Sequence, residues 1–369
     1  MHAVLSSRRY DDLAVNDSNV NKTSAWIKDT LWAFAMIQRR GSPSNIMDIV
    51  LEYAPDLQEA IDLEVHWTSV VRESTDQTDL AILKSVQILR SGVATLWKLA
   101  MEDGAFFQIR STCATQPRTY EVLFPHCARR EWINDLFLSE VASTNRGLKN
   151  SLSASSPHSA DIGFMHVENS RESRGGYSVY VPENYNPATC YPLVVSLHGG
   201  SGHGRGQAWV WLREARSQGV VVVCPTSLDS TWNFGDPEAD ILNILHHVEA
   251  TCKNWNIDTS RLMLHGISDG GTFVLASGLL EGSKFTHLVP CSPSFHPFLI
   301  EVSSPSRLKE IRVYLIHGAL DWMFPVEGSR EAYLILNRAG VDIVYREFED
   351  LSHAYPDEEN ESILQWFLE

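Results

Sequence analysis

Over the first 150 residues the apolar positions recur at helical spacing. Trp26, Ile27, Leu31, Trp32, Phe34, Ala35 and Ile37 fall three and four apart, which places them on one stripe of a helix. Ile46, Ile49, Val50, Leu51 and Leu57 repeat the pattern after Pro43 and Ser44, with Ser44 as the expected N-cap. Two further helices are predicted over residues 80–101 and 129–141. Between them, residues 105–110 and 120–124 read as a small hairpin. No internal repeat marks a solenoid or a propeller.

Residues 151–160 are polar and serine-rich, as a linker is. Beyond them, short apolar runs alternate with amphipathic stretches. Strands are predicted over residues 163–168, 177–181, 193–197, 220–224, 262–264, 287–291, 312–316 and 343–348. The run Val220-Val221-Val222-Val223 is apolar throughout, as expected where helices cover both faces of a parallel sheet. The first two strands are close enough to pair antiparallel around Arg174-Gly175-Gly176. Ile241, Leu245, Val248 and Cys252 share one face of a helix over residues 241–255. The chain therefore reads as a mainly helical domain at 1–150, a linker at 151–160 and an α/β domain at 161–369. In such a domain the loops at the carboxyl ends of the strands carry the chemistry.

One of those loops has a recognisable pattern. Gly266-Ile267-Ser268-Asp269-Gly270-Gly271 follows the apolar run Leu262-Met263-Leu264 and leads into Thr272-Phe273-Val274-Leu275-Ala276. A serine nucleophile on a tight elbow requires that strand–turn–helix setting. The outer glycines stand where strand and helix backbones come too close for a Cβ. At ordinary glycine and serine usage the pattern arises by chance in roughly one chain in ten of this length, so its neighbours decide.

A serine nucleophile needs a base, an acid to orient that base, and donors for the developing oxyanion. His287 and His317 lie in or at the end of predicted strands and read as structural. His353, in Asp350-Leu351-Ser352-His353, follows the last strand, where the base belongs. Asp321 follows the penultimate strand and is the expected acid. Asp350 precedes His353 too closely to approach its imidazole easily. Leu197-His198-Gly199-Gly200-Ser201-Gly202 closes the third strand. The backbone N–H groups of Gly200 and Asp269 are the expected oxyanion hole, with His198 shaping the loop. Gly202, Gly204 and Gly206 are followed by no lysine and read as a flexible loop rather than a phosphate cradle.

From Tyr177 to the C-terminus these motifs carry a resemblance. Tyr180-Val181-Pro182 with Tyr191-Pro192-Leu193-Val194-Val195, His198-Gly199-Gly200, the Gly266–Gly271 stretch, Asp321 with Pro325-Val326, and His353 occur in order. The chain resembles the α/β-hydrolase superfamily, in its phospholipase/carboxylesterase branch close to feruloyl-esterase and polyhydroxybutyrate-depolymerase-like enzymes. The resemblance implies an α/β-hydrolase fold, with a mostly parallel central sheet flanked by helices. It also implies hydrolysis of small-molecule carboxylic esters through an acyl-enzyme, with no metal and no organic cofactor. It covers a little over half of the chain, and the helical domain at 1–150 matches no family.

Aromatic residues crowd the same loops. Trp232, Trp322, Phe234 and Trp209 are the candidate walls of a pocket for an apolar or aromatic acyl or alcohol group. In the helical domain, Trp26, Trp32, Trp67, Trp97 and Trp132 read as core. That domain's role stays open between capping the site, homo-oligomerisation and partner binding. Two other functions stay open as well. One is a serine peptidase of the prolyl-oligopeptidase type, whose appended domain is usually a β-propeller; the other is a catalytically silent hydrolase fold used for binding.

Composition narrows the field further. A chain of 369 residues with 44% hydrophobic and 21% charged residues suits two globular domains. A formal net charge of -16 argues against nucleic acid or an anionic membrane as the main partner. The six cysteines are far apart with no C-x-x-C pair, so a metal cluster is not expected. Residues 1–9 lack the apolar stretch of a secretory signal. No window approaches the 18 uninterrupted apolar residues of a membrane span, and a cytoplasmic location is the default expectation.

Overall fold

A computed structural model describes residues 2–102, 104–154 and 161–369, with side chains described from residue 18 onward. The chain divides into two compact units, Met1–Leu136 and Phe137–Glu369. The expected linker falls mostly on residues 155–160, outside the described residues, and residues 151–154 close a helix. Among the described residues no helix is long and apolar enough to cross a membrane.

The first unit is helical: α1 (His2–Arg40), α2 (Ile46–Tyr53), α3 (Leu57–Glu73), α4 (Gln77–Leu99), α5 (Phe106–Cys113), α6 (Gln116–Leu123) and α7 (Glu131–Leu136). Asp56 and Asp76 accept backbone N–H bonds at the starts of α3 and α4, satisfying donors that no carbonyl within the helix can reach. Trp26, Ile27, Leu31, Phe34 and Ile37 are buried as their spacing predicts, whereas Trp32 is 58% exposed beside Tyr53. Trp67 is core, its Nε1–H donating to Thr23 Oγ1 at 2.8 Å.

Three expectations for this region are corrected. The predicted hairpin is the helix pair α5 and α6. Phe106, Ile109 and Cys113 are buried at three-and-four spacing, and Pro117 sits in the first turn of α6, where its missing N–H costs nothing. The N-cap position of α2 belongs to Asn45 rather than Ser44, and the Asn45 side chain instead accepts from Ser42 N–H at 2.7 Å. The helix predicted over 129–141 is two short ones, α7 and α8 (Glu140–Thr144), because Ser139 caps a new start by accepting from Ala142 N–H.

In the second unit, α8 and α9 (Arg146–Ala154) precede an eight-stranded sheet. Its strands are β1 (Gly163–Val167), β2 (Tyr177–Val181), β3 (Tyr191–Leu197), β4 (Val221–Pro225), β5 (Ile257–Ile267), β6 (His287–Cys291), β7 (Arg312–Gly318) and β8 (Asp342–Phe348). The spatial order is β1-β2-β4-β3-β5-β6-β7-β8. β2 runs antiparallel to both β1 and β4, and every pairing from β4 to β8 is parallel. All residues of β2, β3, β4 and β6 are buried, which is why these strands read as unbroken apolar runs. The sequence reading starts β5 five residues late, because Asp258, Thr259, Ser260 and Arg261 are polar and stand outside the core.

Helices α10 (Gly204–Gln218), α11 (Glu238–Asn254), α12 (Asp269–Gly278), α15 (Val326–Arg338) and α16 (Asn360–Leu368) pack on the sheet, with the short α13 (Phe298–Glu301) and α14 (Pro305–Glu310) in the β6–β7 connection. The core joins Val195, Leu197, Val223, Leu264, Phe273, Leu288, Val313 and Leu315 with their neighbours. β3 and β5 are neighbours, and the connection leaving β3 leads to β4 on one side while the connection leaving β5 leads to β6 on the other. A sheet of this kind opens a crevice at the carboxyl ends of the strands where the order reverses. The loop that follows β3 and the loop that follows β5 border that crevice.

Candidate active site

Ser268 occupies the turn between β5 and α12 with φ 57° and ψ -121°. A non-glycine residue adopts this conformation only where its surroundings force it. Ser268 N–H donates to Cys291 O at 2.9 Å, and Ser268 O accepts from Thr272 N–H at 2.8 Å. A Cβ on Gly266 would stand 2.5 Å from the Gly270 backbone, and one on Gly270 would stand 2.6 Å from the carbonyl oxygens of Leu197 and His198. Glycine at both positions lets strand, helix and the β3 loop meet behind the serine.

The three separated sequence candidates converge here. His353 Nε2 lies 2.9 Å from Ser268 Oγ, and His353 Nδ1 lies 2.7 Å from Asp321 Oδ2. A carboxylate only accepts, so Nδ1 carries the proton toward Asp321 and Nε2 is left to accept from the serine hydroxyl. Asp321 Oδ1 in turn accepts from the backbone N–H groups of Met323 at 2.9 Å and Phe324 at 2.8 Å. Burial pushes the Asp321 carboxyl up. Hydrogen bonds from His317 and His353, the His353 charge and the Phe324 N–H outweigh that and hold it well below the usual carboxylate range. Asp321 is thus an anion at any working pH. The rings of Phe324 and Trp322 stand edge-on to the His353 imidazole, with centroids 5.3 and 6.0 Å away.

The loop after β3 is braced from several sides. A Cβ on Gly200 would come within 2.7 Å of Asp269 Oδ2, and one on Gly199 within 3.4 Å of Ser268 Cβ, so the loop backbone lies directly against the elbow. His198 Nδ1 bonds Gly199 O at 2.7 Å, and Nε2 accepts from Ser227 N–H at 3.1 Å. Burial pushes this imidazole down to about 4 against the raising effect of Gly199 O, with Arg174 lowering it further. It is neutral and its two nitrogens are engaged in shaping the loop. Arg174 adds a clamp: Nη1 donates to Gly202 O at 2.7 Å, Nε to Ser227 O at 3.2 Å, and Nη2 to Ser227 Oγ. Thr231 Oγ1 donates to Asp269 Oδ2 at 2.6 Å.

The four aromatic residues expected to line a pocket part company. Trp232 is 1% exposed; its Nε1–H donates to His198 O at 2.8 Å, and its ring packs between His198 and Phe273. It therefore supports the loop from within the core. Trp209 is buried and stacked on Phe164 at 4.6 Å. Trp322 is half-buried beside His353, and Phe234 is 46% exposed. Sequence reasoning missed Arg174, Thr231 and Ser227 as supports, and it took His317 as merely structural. No local pattern marks the first three, since the groups they tie lie far along the chain.

Residues 229–368 match the Phospholipase/Carboxylesterase family model. A bifunctional acetylxylan esterase/xylanase of Neocallimastix patriciarum is 32% identical over 148 residues, covering 39% of this chain and 21% of that protein. Dipeptidyl-peptidase 5 of Aspergillus oryzae is 26% identical over 237 residues, covering 51% of this chain and 33% of that protein. The chain thus spans a third or less of the length of these curated relatives. Among solved structures, a thermostable esterase aligns at 22% identity with a TM-score of 0.44, over 56% of this chain and 62% of that one. The Arabidopsis thaliana protein SOBER1 aligns at 18% identity with a TM-score of 0.40, over 48% of this chain and 98% of that one. With its sheet order and its elbow in agreement, the second unit has the α/β-hydrolase fold, and over residues 229–368 it is similar to the phospholipase/carboxylesterase family.

Proposed function

We propose that the protein is a serine hydrolase that cleaves small-molecule carboxylic esters through an acyl-enzyme. Ser268 is the nucleophile, His353 the general base and acid, and Asp321 the group that orients and stabilises the imidazole. The relay from Ser268 Oγ to His353 Nε2 at 2.9 Å and from His353 Nδ1 to Asp321 at 2.7 Å carries the reading. His353 takes the serine proton as Oγ attacks the ester carbonyl, then returns it to the departing alcohol; water repeats the cycle to release the acid. The N–H groups of Gly200 and Asp269 are the oxyanion donors of this reading, supported by the contact between the Gly200 backbone and Asp269. Trp322, with Leu320 and Met323 on its own loop and Phe234 on the loop after β4, offers an apolar approach to the site that suits an apolar or aromatic acyl or alcohol group.

Turnover of p-nitrophenyl esters, read beside labelling by a fluorophosphonate probe, tests this. Ser268→Ala should lose both signals and keep its thermal unfolding midpoint, and retention of most turnover would refute the assignment. The similarity to the Aspergillus dipeptidyl-peptidase, which covers more of the chain than the esterase match does, supports a second reading as a peptidase. A panel of p-nitrophenyl and feruloyl esters with a dipeptidyl amide separates the two, and turnover of the amide alone would reverse their order.

A further inference from the structure

Asp321 has a second imidazole on it. His317 ends β7 four residues before Asp321, and its side chain is fully buried. Its Nε2 lies 3.0 Å from Phe324 O and 3.3 Å from Asp321 Oδ2. Both neighbours are acceptors, so Nε2 must carry a hydrogen shared between them. On the other side of the ring, Nδ1 lies 2.6 Å from Ser329 Oγ, a buried hydroxyl on α15. The ring is therefore held at both nitrogens.

With His317 included, the Asp321 carboxylate is saturated. Oδ1 accepts two backbone N–H bonds, and Oδ2 faces both imidazoles. We propose, resting on the reading of Ser268, His353 and Asp321 as the catalytic relay, that His317 is a positioning residue. Its Nε2–H fixes the plane of the Asp321 carboxylate and tempers the pull of that carboxylate on His353, so it helps set the pH at which His353 becomes a competent base.

Each hydrogen bond accepted by a carboxylate spreads its charge and weakens the next. Without the Nε2–H, Oδ2 would hold the His353 imidazolium more strongly, and the base would load its proton at higher pH. The carboxylate would also be free to rotate away from the line between Asp321 and His353. The other ionisable groups around His317 do not confuse the reading. Glu347, its register partner on β8, is pushed down to about 2, first by its Arg330 hydrogen bond, with burial opposing and Tyr345 assisting. Cys291, on the β6 side, is held by burial far above its usual range. Arg330 stays paired with Glu347.

The test is the pH profile of kcat/KM for a p-nitrophenyl ester in H317L, H317Q and S329A. H317L removes the donor. Its kcat should fall about tenfold to a hundredfold, with KM changed by less than about threefold, and its acid limb should move up by roughly half a pH unit or more. H317Q places an amide N–H in reach of the same acceptors, so it should restore the limb and most of kcat. S329A leaves the ring in place without its second anchor and should shift the limb in the same direction by less. Wild-type kcat and limb in H317L would overturn the proposal, as would equal damage in H317L and H317Q with the limb unmoved. Should H317L fail to fold, an unmoved limb in S329A overturns it. Failure of the relay itself shows elsewhere, as fluorophosphonate labelling that survives Ser268→Ala.

Discussion

Asp321→Asn tests the proposed relay through the direction of a single amide. In the native site Oδ1 is held by two backbone donors, Met323 N–H at 2.9 Å and Phe324 N–H at 2.8 Å. These donors would claim the carbonyl oxygen of the introduced amide, which leaves its NH2 in the place of Oδ2. That NH2 would face His353 Nδ1 at about 2.7 Å and the Nε2–H of His317 at about 3.3 Å, where the native oxygen accepts. His353 could then bond it only through an unprotonated Nδ1. The ring proton would move to Nε2, and Ser268 Oγ would meet a donor instead of a base. An inverted tautomer of this kind costs about 10⁴ in kcat in the well-studied serine-protease case, about 5 kcal/mol of barrier. Burst and steady-state turnover of p-nitrophenyl acetate by D321N and D321A measure the effect. Alanine offers no donor, so its imidazole remains free to carry the proton on Nδ1, and D321A should be the faster of the two. A D321N protein with more than about a tenth of wild-type kcat would refute the reasoning, and so would D321A slower than D321N at equal folded fraction.

Two further predictions concern stability. Ser268→Gly should abolish ester turnover yet raise stability by about 1 kcal/mol, because glycine adopts φ 57° without the strain that serine bears there; urea unfolding measures it, and a less stable variant would show that the elbow is not strained. Burial raises the Glu214 carboxyl from 4.5 to about 7, against the lowering effect of Arg213. Between those values the folded protein keeps a proton that the unfolded chain has released, so stability should fall as pH rises from 4.5 to 7 and stay low above. Glu214→Gln should then be more stable than wild type at pH 8 by up to about 3 kcal/mol and gain little at pH 4.5; denaturant midpoints at the two pH values check it, and an equal gain at both would exclude the ionisation.

What could be read from the chain follows from how each residue is held. Ser268 and Asp321 follow buried stretches of parallel strand that read as apolar runs, and His353 follows the last parallel strand, which is partly exposed but still apolar enough to be read. Their order along the chain was therefore legible before their proximity was known. The glycines of the elbow were legible for the same reason, since their demand is local. The hairpin at 105–124 was misread because Phe106-Phe107-Gln108-Ile109 satisfies both periods over four residues. Only the burial of Cys113, one helical turn beyond Ile109, decides for the helix.

The supports were hidden by a different physics. Trp232 looks like an aromatic pocket wall in sequence, because nothing nearby says that its indole N–H will find His198 O, 34 residues away. Arg174 looks like part of a turn, because the carbonyls it ties belong to residues 202 and 227. Each such bond exists only after the sheet has formed, and each satisfies a polar group that burial would otherwise leave unpaired. His317 is the instructive intermediate case. Its place at the end of a buried strand suggested a satisfied structural histidine, and its two nitrogens are indeed engaged. One of them is engaged by the carboxylate that holds the proposed catalytic base. A buried histidine whose partners include such a carboxylate has no purely structural role, because any change in its bonding changes the charge that the base sees.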